Sequence, residues 1–184
     1  DIDFGGQTLS SIHVDRRIFL ATFAPDYSHV GSQAIGNDEP VSSTTFGVDD
    51  LAIDEAGRIT LIAHIDGRVE KDGVLIQETS YADSMLLLGL TPEGNYSWHH
   101  VYGSDGEPPT LQLAARGGRV VVAGSYASID LFDGDGEVVA MGAHAGFIAA
   151  HDAAGMTAGS PIWSSHSGVQ PGATPDVVVR DVAL

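Results

Sequence analysis

The fold of this chain is decided by residues 111–124, LQLAARGGRVVVAG, which have the pattern of two short strands joined by a tight turn. Leu111 and Leu113 alternate with a polar residue, and after the turn the chain continues as a run of valines. Two adjacent glycines supply the turn, since glycine adopts positive φ angles without steric cost. An earlier stretch, 51–63 (LAIDEAGRITLIA), has the same form. We therefore expect antiparallel β-hairpins to be the building block of the fold.

This building block recurs at a regular interval. Matching strand, strand-end and turn positions lie 61 to 67 residues apart. They are Phe19, Leu86 and Phe147 in one strand, Gly36, Gly103 and Gly168 at the end of the next, and Gly57 and Gly118 in the hairpin turn. Each unit contains a polar glycine turn, at 3–6, 70–73 and 133–136. Intervals of this length are typical of arrays, solenoids and propellers.

The strand content of each unit favours a propeller, because about four short strands make one propeller blade. We predict an all-β fold, a β-propeller of repeated four-stranded antiparallel blades. The units are approximately 1–47, 48–109 and 110–176, and 177–184 begins another. A closed propeller has ~4 to 8 blades, so about three blades are either part of a larger propeller or completed by association.

Composition excludes several classes of function. The chain has 25 acidic and 8 basic residues, a net charge of -17, so its surface repels phosphate backbones and anionic membranes. No cysteine is present, which excludes disulfides, zinc–thiolate sites and cysteine nucleophiles. No apolar run approaches the ~18 residues of a membrane helix. We expect neither nucleic-acid binding nor membrane insertion.

One acidic turn is the candidate metal site. Asp133, Asp135 and Glu137 alternate with glycines in the sequence DGDGE. Alternating carboxylates on a flexible turn can direct several oxygens at Ca²⁺, which takes ~6 to 8 oxygen ligands. The twelve-residue pattern of an EF-hand loop is absent, and a solvated acidic turn is the simpler interpretation.

The histidines do not form a motif in the sequence. His99 and His100 are neighbours on a predicted strand, so their side chains point to opposite faces and do not chelate one ion together. His100 could meet His144, His151 or His166 between blades, and the sequence does not choose among them. Isolated core or surface histidines are the alternative.

The scarce aromatic residues have two interpretations. Trp98 and Trp163 occupy the same place in successive units, and Tyr96 and Tyr102 lie close to the first of them. If exposed, these rings form a platform that stacks on sugars. The repeated position favours burial between blades instead, because repeated apolar positions usually build a shared core.

No catalytic motif is found. Serines are common, but none lies in a G-x-S-x-G motif, and no glycine loop has the G-x-G-x-x-G spacing of a phosphate site. Neighbouring pairs such as Ser165 and His166 are adjacent only in sequence, whereas a catalytic dyad needs side chains that meet in space. We expect that the protein is not an enzyme.

Several of these motifs together resemble the SBBP-type β-propeller repeats of long exported proteins in myxobacteria and their relatives. The matching pieces are DFGG at 3–6, IFLATF at 18–23, DEAG at 54–57, VVAG at 121–124, FIAAHD at 147–152, and Trp163. The unit here is longer than is usual in that family, and the lysine of the family's third strand is absent from all three units. The resemblance implies a propeller fold and an extracellular, cell-surface or periplasmic location.

The sequence therefore predicts a non-catalytic scaffold or binding module without a cofactor other than possible Ca²⁺. Its protein or carbohydrate ligand is expected at the variable loops 37–47 and 104–110, because connections vary while blades do not. A carbohydrate- or calcium-binding lectin-like propeller is the first alternative. A subunit or fragment of a propeller hydrolase is the second. Self-association and membership of a longer chain both stay open.

Overall fold

A computed structural model describes residues 2–6, 8–9, 18–36, 46–65, 68–71, 74–78, 84–102, 110–126, 128–130, 137–139, 145–153 and 163–167. Over these ranges the chain forms fourteen strands, all of them paired antiparallel, and no helix. The predicted all-β class is confirmed. No closed propeller is formed by the described residues, and the propeller stays a prediction.

The strands follow one another, joined by short turns or by longer connections. Their bounds are β1 Ile18–Phe23, β2 His29–Ile35, β3 Phe46–Ile53, β4 Ile59–Ile65, β5 Arg68–Lys71, β6 Val74–Glu78, β7 Ser84–Leu90, β8 Tyr96–Tyr102, β9 Thr110–Arg116, β10 Arg119–Tyr126, β11 Ser128–Asp130, β12 Glu137–Val139, β13 Ala145–Asp152 and β14 Trp163–Ser167.

Two four-stranded sheets have the same strand order. One is β3-β4-β7-β8 and the other is β9-β10-β13-β14. Each is a simple meander except for a two-stranded hairpin inserted between its second and third strands, β5–β6 in one case and β11–β12 in the other. A further pair, β1–β2, precedes them. We call β1–β2 the first layer and the two larger sheets the second and third layers.

The layers pack face to face through two apolar cores. Alternating residues of β4 and β7 serve both cores, because successive strand side chains point to opposite faces. Between the first and second layers lie Ile18, Ile35, Ile59, Leu61, Ala63, Ile65, Val69, Ile76, Leu86, Leu88 and Leu90. Between the second and third lie Ile62, Met85, Leu87, Trp98, Tyr102, Leu111, Leu113, Val120, Val122, Phe147, Ala149 and Ala153. The second layer is thus covered on both faces, which explains why β7 is buried at every position.

Three of the tight turns share one hydrogen-bonded form. In the turn after β3, the Asp54 N–H donates to the Arg58 carbonyl over 3.1 Å and the Gly57 N–H donates to the Asp54 carbonyl over 2.9 Å. The turns after β1 and β7 have the same pair of bonds. The fourth residue of each turn has a positive φ angle. It is Tyr27 after β1, Gly57 after β3 and Gly94 after β7. These turns therefore fix the register of the strands that they join.

Most predicted strands are present, with ends within three residues of those expected, and the largest difference is in β10, which continues past Gly124 to Tyr126. One prediction was wrong. Glu70 and Lys71, expected in a polar glycine turn, lie in β5, because β5 pairs with β6 and Glu70 also bridges to Gly36 after β2. The predicted strand 177–184 lies outside the described residues. Within the described ranges no helix is long and apolar enough to cross a membrane.

Candidate functional site

The acidic turn proposed for calcium is not described by the structure. Asp133 and Asp135 fall in the connection between β11 and β12, outside the described ranges. Glu137 begins β12, where its backbone pairs with that of Asp130. The hairpin that carries the turn is therefore placed, and calcium binding stays a prediction.

Two of the histidines meet in the core between the second and third layers. His100 on β8 and His151 on β13 are both buried, and their ring centroids are 5.2 Å apart. His99, its neighbour in sequence, is only partly buried and bonds to the Tyr96 hydroxyl over 3.0 Å. The expected opposite orientation of His99 and His100 is confirmed, and of the three possible partners of His100 the structure brings His151 against it.

Tyr102 completes this polar group. Its hydroxyl lies 2.5 Å from Nε2 of His151, and its ring meets that of His100 edge-on at 4.6 Å. Burial raises the pKa of the Tyr102 phenol well above its usual value of about 10, because a phenolate would be desolvated there. Tyr102 is therefore a neutral hydrogen-bonding group that joins β8 to β13.

Trp98 lies on the same face and ties the layers further. Its indole stacks on His151 at 6.0 Å with an interplanar angle of 15°, and its Nε1 donates to the Ala153 carbonyl over 3.2 Å. Trp98 and Tyr102 are both buried, so these two rings are not available for stacking on a sugar. The interpretation of Trp98 as a core residue between sheets is confirmed. The side chain of Trp163 lies outside the described atoms.

The cluster of Trp98, His100, Tyr102 and His151 has the character of a structural joint. Each of its members is buried, so a dissolved substrate has no access to them. Over the ranges that the structure covers, no three histidine or carboxylate side chains are placed to share a metal ion. The chemistry that this geometry supports is the cross-linking of two sheets through a paired hydroxyl and imidazole.

A carboxylate provides a second tie between the same layers. Asp50 follows a bulge in β3, where the register shifts after Val48. Its Oδ1 accepts the Leu51 N–H and its Oδ2 accepts the Leu113 N–H of β9, both over 2.8 Å. This contact could not be predicted from the sequence, because the Asp49–Asp50 pair in a strand carries no motif. Asp50 fixes the first strand of the third layer against the first strand of the second.

The two ends of the layers differ. The turns within sheets, 24–28, 54–58, 91–95 and 117–118, all lie at one end, which we call the tight-turn end. The other end, which we call the long-connection end, carries the connections between sheets and the hairpins inserted between second and third strands, because strands that alternate in direction return there. The connection between β13 and β14 belongs to the tight-turn end. The long-connection end includes the hairpins β5–β6 and β11–β12 and the connections 36–45 and 103–109.

The tight-turn end is held together by its own carboxylates. Burial alone would raise the pKa of Asp54, but bonds from the Arg58 guanidinium and from the Arg58 and Ala56 N–H groups outweigh it, so the net pKa is lowered. Glu55 accepts the Gly117 N–H of the third layer over 2.8 Å, which lowers its pKa. These carboxylates are engaged within the protein.

The long-connection end presents apolar side chains instead. Val74 and Leu75 on β6 are 47% and 46% exposed. Val69 and Ile76 of the same hairpin are buried in the core of the first and second layers, so the hairpin is anchored while Val74 and Leu75 stay exposed. The predicted ligand loops also arise here. Of these, 37–45 and 104–109 lie outside the described residues, Gly47 belongs to β3, and Thr110 begins β9.

No protein-family model matches the chain, and no curated protein matches it.

Proposed function

We propose that the protein is a non-catalytic binding module of the β-propeller type, and that its ligand-binding surface is the long-connection end. The observation that carries the proposal is topological. The connections between layers and both inserted hairpins lie at one end, whereas the other end has four tight turns and the connection between β13 and β14. Binding residues are usually found on variable connections that a rigid scaffold positions.

Two exposed apolar residues favour this end as the contact surface. Val74 and Leu75 are adjacent on an anchored hairpin, and both side chains are exposed. Apolar side chains held rigidly at a surface lose little entropy when a partner covers them. The net charge of -17 favours ligands that are neutral or basic.

The resemblance to exported repeat proteins supports an extracellular, cell-surface or periplasmic location and a protein or carbohydrate ligand. The turn with Asp133 and Asp135 belongs to hairpin β11–β12, so a calcium ion there would lie at the same end. A calcium-dependent lectin is therefore the second candidate. With Trp98 and Tyr102 buried, its sugar would have to contact other residues than these two.

An array of defined oligosaccharides and extracellular-matrix proteins, probed with the 184-residue chain in Ca²⁺ and in EDTA, tests the proposal. We expect binding that Leu75→Ser weakens and that Val30→Ser leaves unchanged. Val30 is a matched control, since it is 66% exposed and lies beside the tight turn after β1. Binding to oligosaccharides that occurs in Ca²⁺ and is lost in EDTA would favour the calcium-dependent lectin. Hydrolysis of a bound probe, or no binding to any probe, would contradict the proposed non-catalytic binding function.

A further inference from the structure

One stretch of the chain has the acceptor pattern of N-linked glycosylation. Residues 95–97 read Asn-Tyr-Ser, an asparagine followed two positions later by a hydroxyl group with no proline between them. N-glycosylation takes place at asparagines in this pattern, N-x-S/T. The chain's other asparagine, Asn37, is followed by Asp38 and Glu39, so it lacks the hydroxyl. Asn95 is therefore the one acceptor candidate in the sequence.

The structure exposes both side chains that the pattern needs. Asn95 ends the tight turn after β7, and Ser97 is the second residue of β8. Both are exposed, whereas the next residue, Trp98, is buried in the core. A short motif is often matched by chance, and a buried match is inaccessible once the protein has folded. Because the asparagine amide and the serine hydroxyl both lie at the surface, a transferase can reach them in the folded protein.

Few backbone bonds hold this stretch to the sheet. The pairing of β7 with β8 skips Ser97, since Gly89 pairs with Trp98 and Leu90 pairs with Tyr96. Ser97 is therefore a bulge residue, and its backbone has no partner on β7. Strand β8 also lies at the edge of its sheet, where its other side pairs with no described strand. The start of β8 can thus be drawn away from the sheet with the loss of few hydrogen bonds.

The asparagine is held through its backbone. The Asn95 N–H donates to Oγ1 of Thr91 over 3.3 Å, and the Asn95 carbonyl accepts the Thr91 N–H over 2.9 Å. Neither bond uses the side-chain amide. In the transfer, Nδ2 of the asparagine attacks the anomeric carbon of a sugar carried by a lipid pyrophosphate. The N–C bond forms, the C–O bond breaks and its electron pair leaves with the lipid pyrophosphate, and Nδ2 gives one proton to a basic group of the transferase.

We propose that Asn95 is an acceptor for an N-linked oligosaccharide, which is attached when the chain is exported. The pattern, the exposure of both side chains and the interrupted pairing at Ser97 all support this site. The inference rests on the extracellular, cell-surface or periplasmic location proposed above, because N-linked glycans are found on the surfaces of exported proteins.

The acceptor site lies away from the proposed ligand surface. Asn95 belongs to the tight-turn end, whereas Val74 and Leu75 lie on β6 at the long-connection end. Ligand binding should therefore be the same for Asn95→Gln as for the unchanged chain. An unglycosylated exported chain that binds its ligand would overturn the acceptor site alone. A glycosylated chain that binds no probe would contradict the binding function alone.

Transfer in vitro tests the site on the folded chain. The purified protein is incubated with a detergent-solubilised oligosaccharyltransferase and a lipid pyrophosphate-linked oligosaccharide, and its intact mass is measured. We expect 19.1 kDa plus one oligosaccharide for the unchanged chain and for Ser97→Thr, the matched control that keeps the hydroxyl. Ser97→Ala and Asn95→Gln should stay unmodified, because each removes one essential group of the pattern. Transfer to Ser97→Ala, or none to the unchanged chain, would overturn the proposal.

Mass spectrometry of the protein exported by its own cells gives a test that needs no variant. An amidase that removes N-linked glycans converts the modified asparagine to aspartate, and release in heavy-oxygen water marks that position. We expect the mark at position 95 and none at Asn37, which lacks the hydroxyl two positions later. An exported chain in which Asn95 is unmodified, or in which Asn37 carries the mark, would overturn the assignment.

Discussion

The indole of Trp98 lies directly over Gly89, its partner across strands β7 and β8. A Cβ atom on residue 89 would fall 2.1 Å from Nε1 of the indole. The ring has little freedom to withdraw, because His151 stacks on it and the Ala153 carbonyl accepts its N–H. The absence of a side chain at position 89 is therefore a condition for joining the second and third layers.

Gly89→Ala should lower the free energy of unfolding by about 2–3 kcal/mol, because the added methyl group displaces a packed ring. Urea unfolding followed by tryptophan fluorescence measures the change. Gly31→Ala is the control, since a Cβ there has nothing within 4 Å. The control should change stability by less than about 0.5 kcal/mol or raise it. Equal effects of the two substitutions would contradict the close packing.

Tyr102→Phe should destabilise the protein by about 1–3 kcal/mol, since a buried imidazole nitrogen of His151 loses its hydroxyl partner. Tyr96→Phe removes a similar bond, from Tyr96 to His99, at a partly exposed place where water can substitute. Its cost should stay below about 0.5 kcal/mol. Denaturant unfolding of both variants gives the comparison. A larger loss for Tyr96→Phe would argue against the buried joint.

The same tyrosine predicts a decline in stability at alkaline pH. The unfolded chain ionises this phenol above about pH 10, whereas burial raises the folded pKa and keeps the proton bound. The folded state therefore holds one more proton, and stability falls by about 1.4 kcal/mol per pH unit above pH 10 from this group alone. Tyr102→Phe should lessen the slope by that amount. An unchanged slope would show that Tyr102 ionises in the folded protein.

Asp54 predicts a loss of stability in acid. Despite burial, its bonds to Arg58 and to two backbone N–H groups lower its folded pKa. Its contribution is therefore present above the unfolded value of about 3.9 and is lost as the pH falls through the lower folded value. Asp54→Asn should cost about 1–3 kcal/mol at pH 7 and flatten the acid limb of thermal unfolding. Asp26→Asn, at an exposed turn carboxylate, should have a smaller effect.

Tyr27 occupies a backbone conformation that favours glycine. Its φ is +66°, and the corresponding residues of the two related turns are glycines. The side chain is 88% exposed, so its removal forfeits little packing. Tyr27→Gly should raise the free energy of unfolding by about 1 kcal/mol, because a left-handed conformation strains residues with a Cβ atom. Calorimetry measures the shift in Tm. A fall in Tm would mean that the tyrosine makes contacts that offset the strain.

Local chemistry explains which parts of the fold could be predicted. The strand at 18–23 and the one at 163–167 have the bounds expected from their short apolar or aromatic runs. The turn at 54–58 was predicted from its acidic start and its glycine at position 57. In each case the determining residues are neighbours in sequence, so the pattern is visible without tertiary information.

Contacts between layers could not be predicted in the same way. His100 had three possible partners, and only the alignment of β8 with β13 selects His151. Asp50 bonds to Leu113 across 63 positions of sequence, and no motif around the aspartate predicts this contact. Hairpin β5–β6 was missed because Glu70 and Lys71 resemble the polar start of a turn. These contacts and this hairpin depend on how the sheets pack against one another, which no local stretch of sequence specifies.

The central claim is that the second and third layers stack through Trp98, Tyr102 and His151. Nuclear Overhauser spectroscopy of the aromatic protons tests it most directly, since the effect reports protons within about 5 Å and the residues come from distant positions in sequence. The account predicts cross-peaks from the Trp98 indole to His151 and Ala153, which lies 55 residues away. Cross-peaks from Trp98 to residues of its own sheet alone would contradict the stacking.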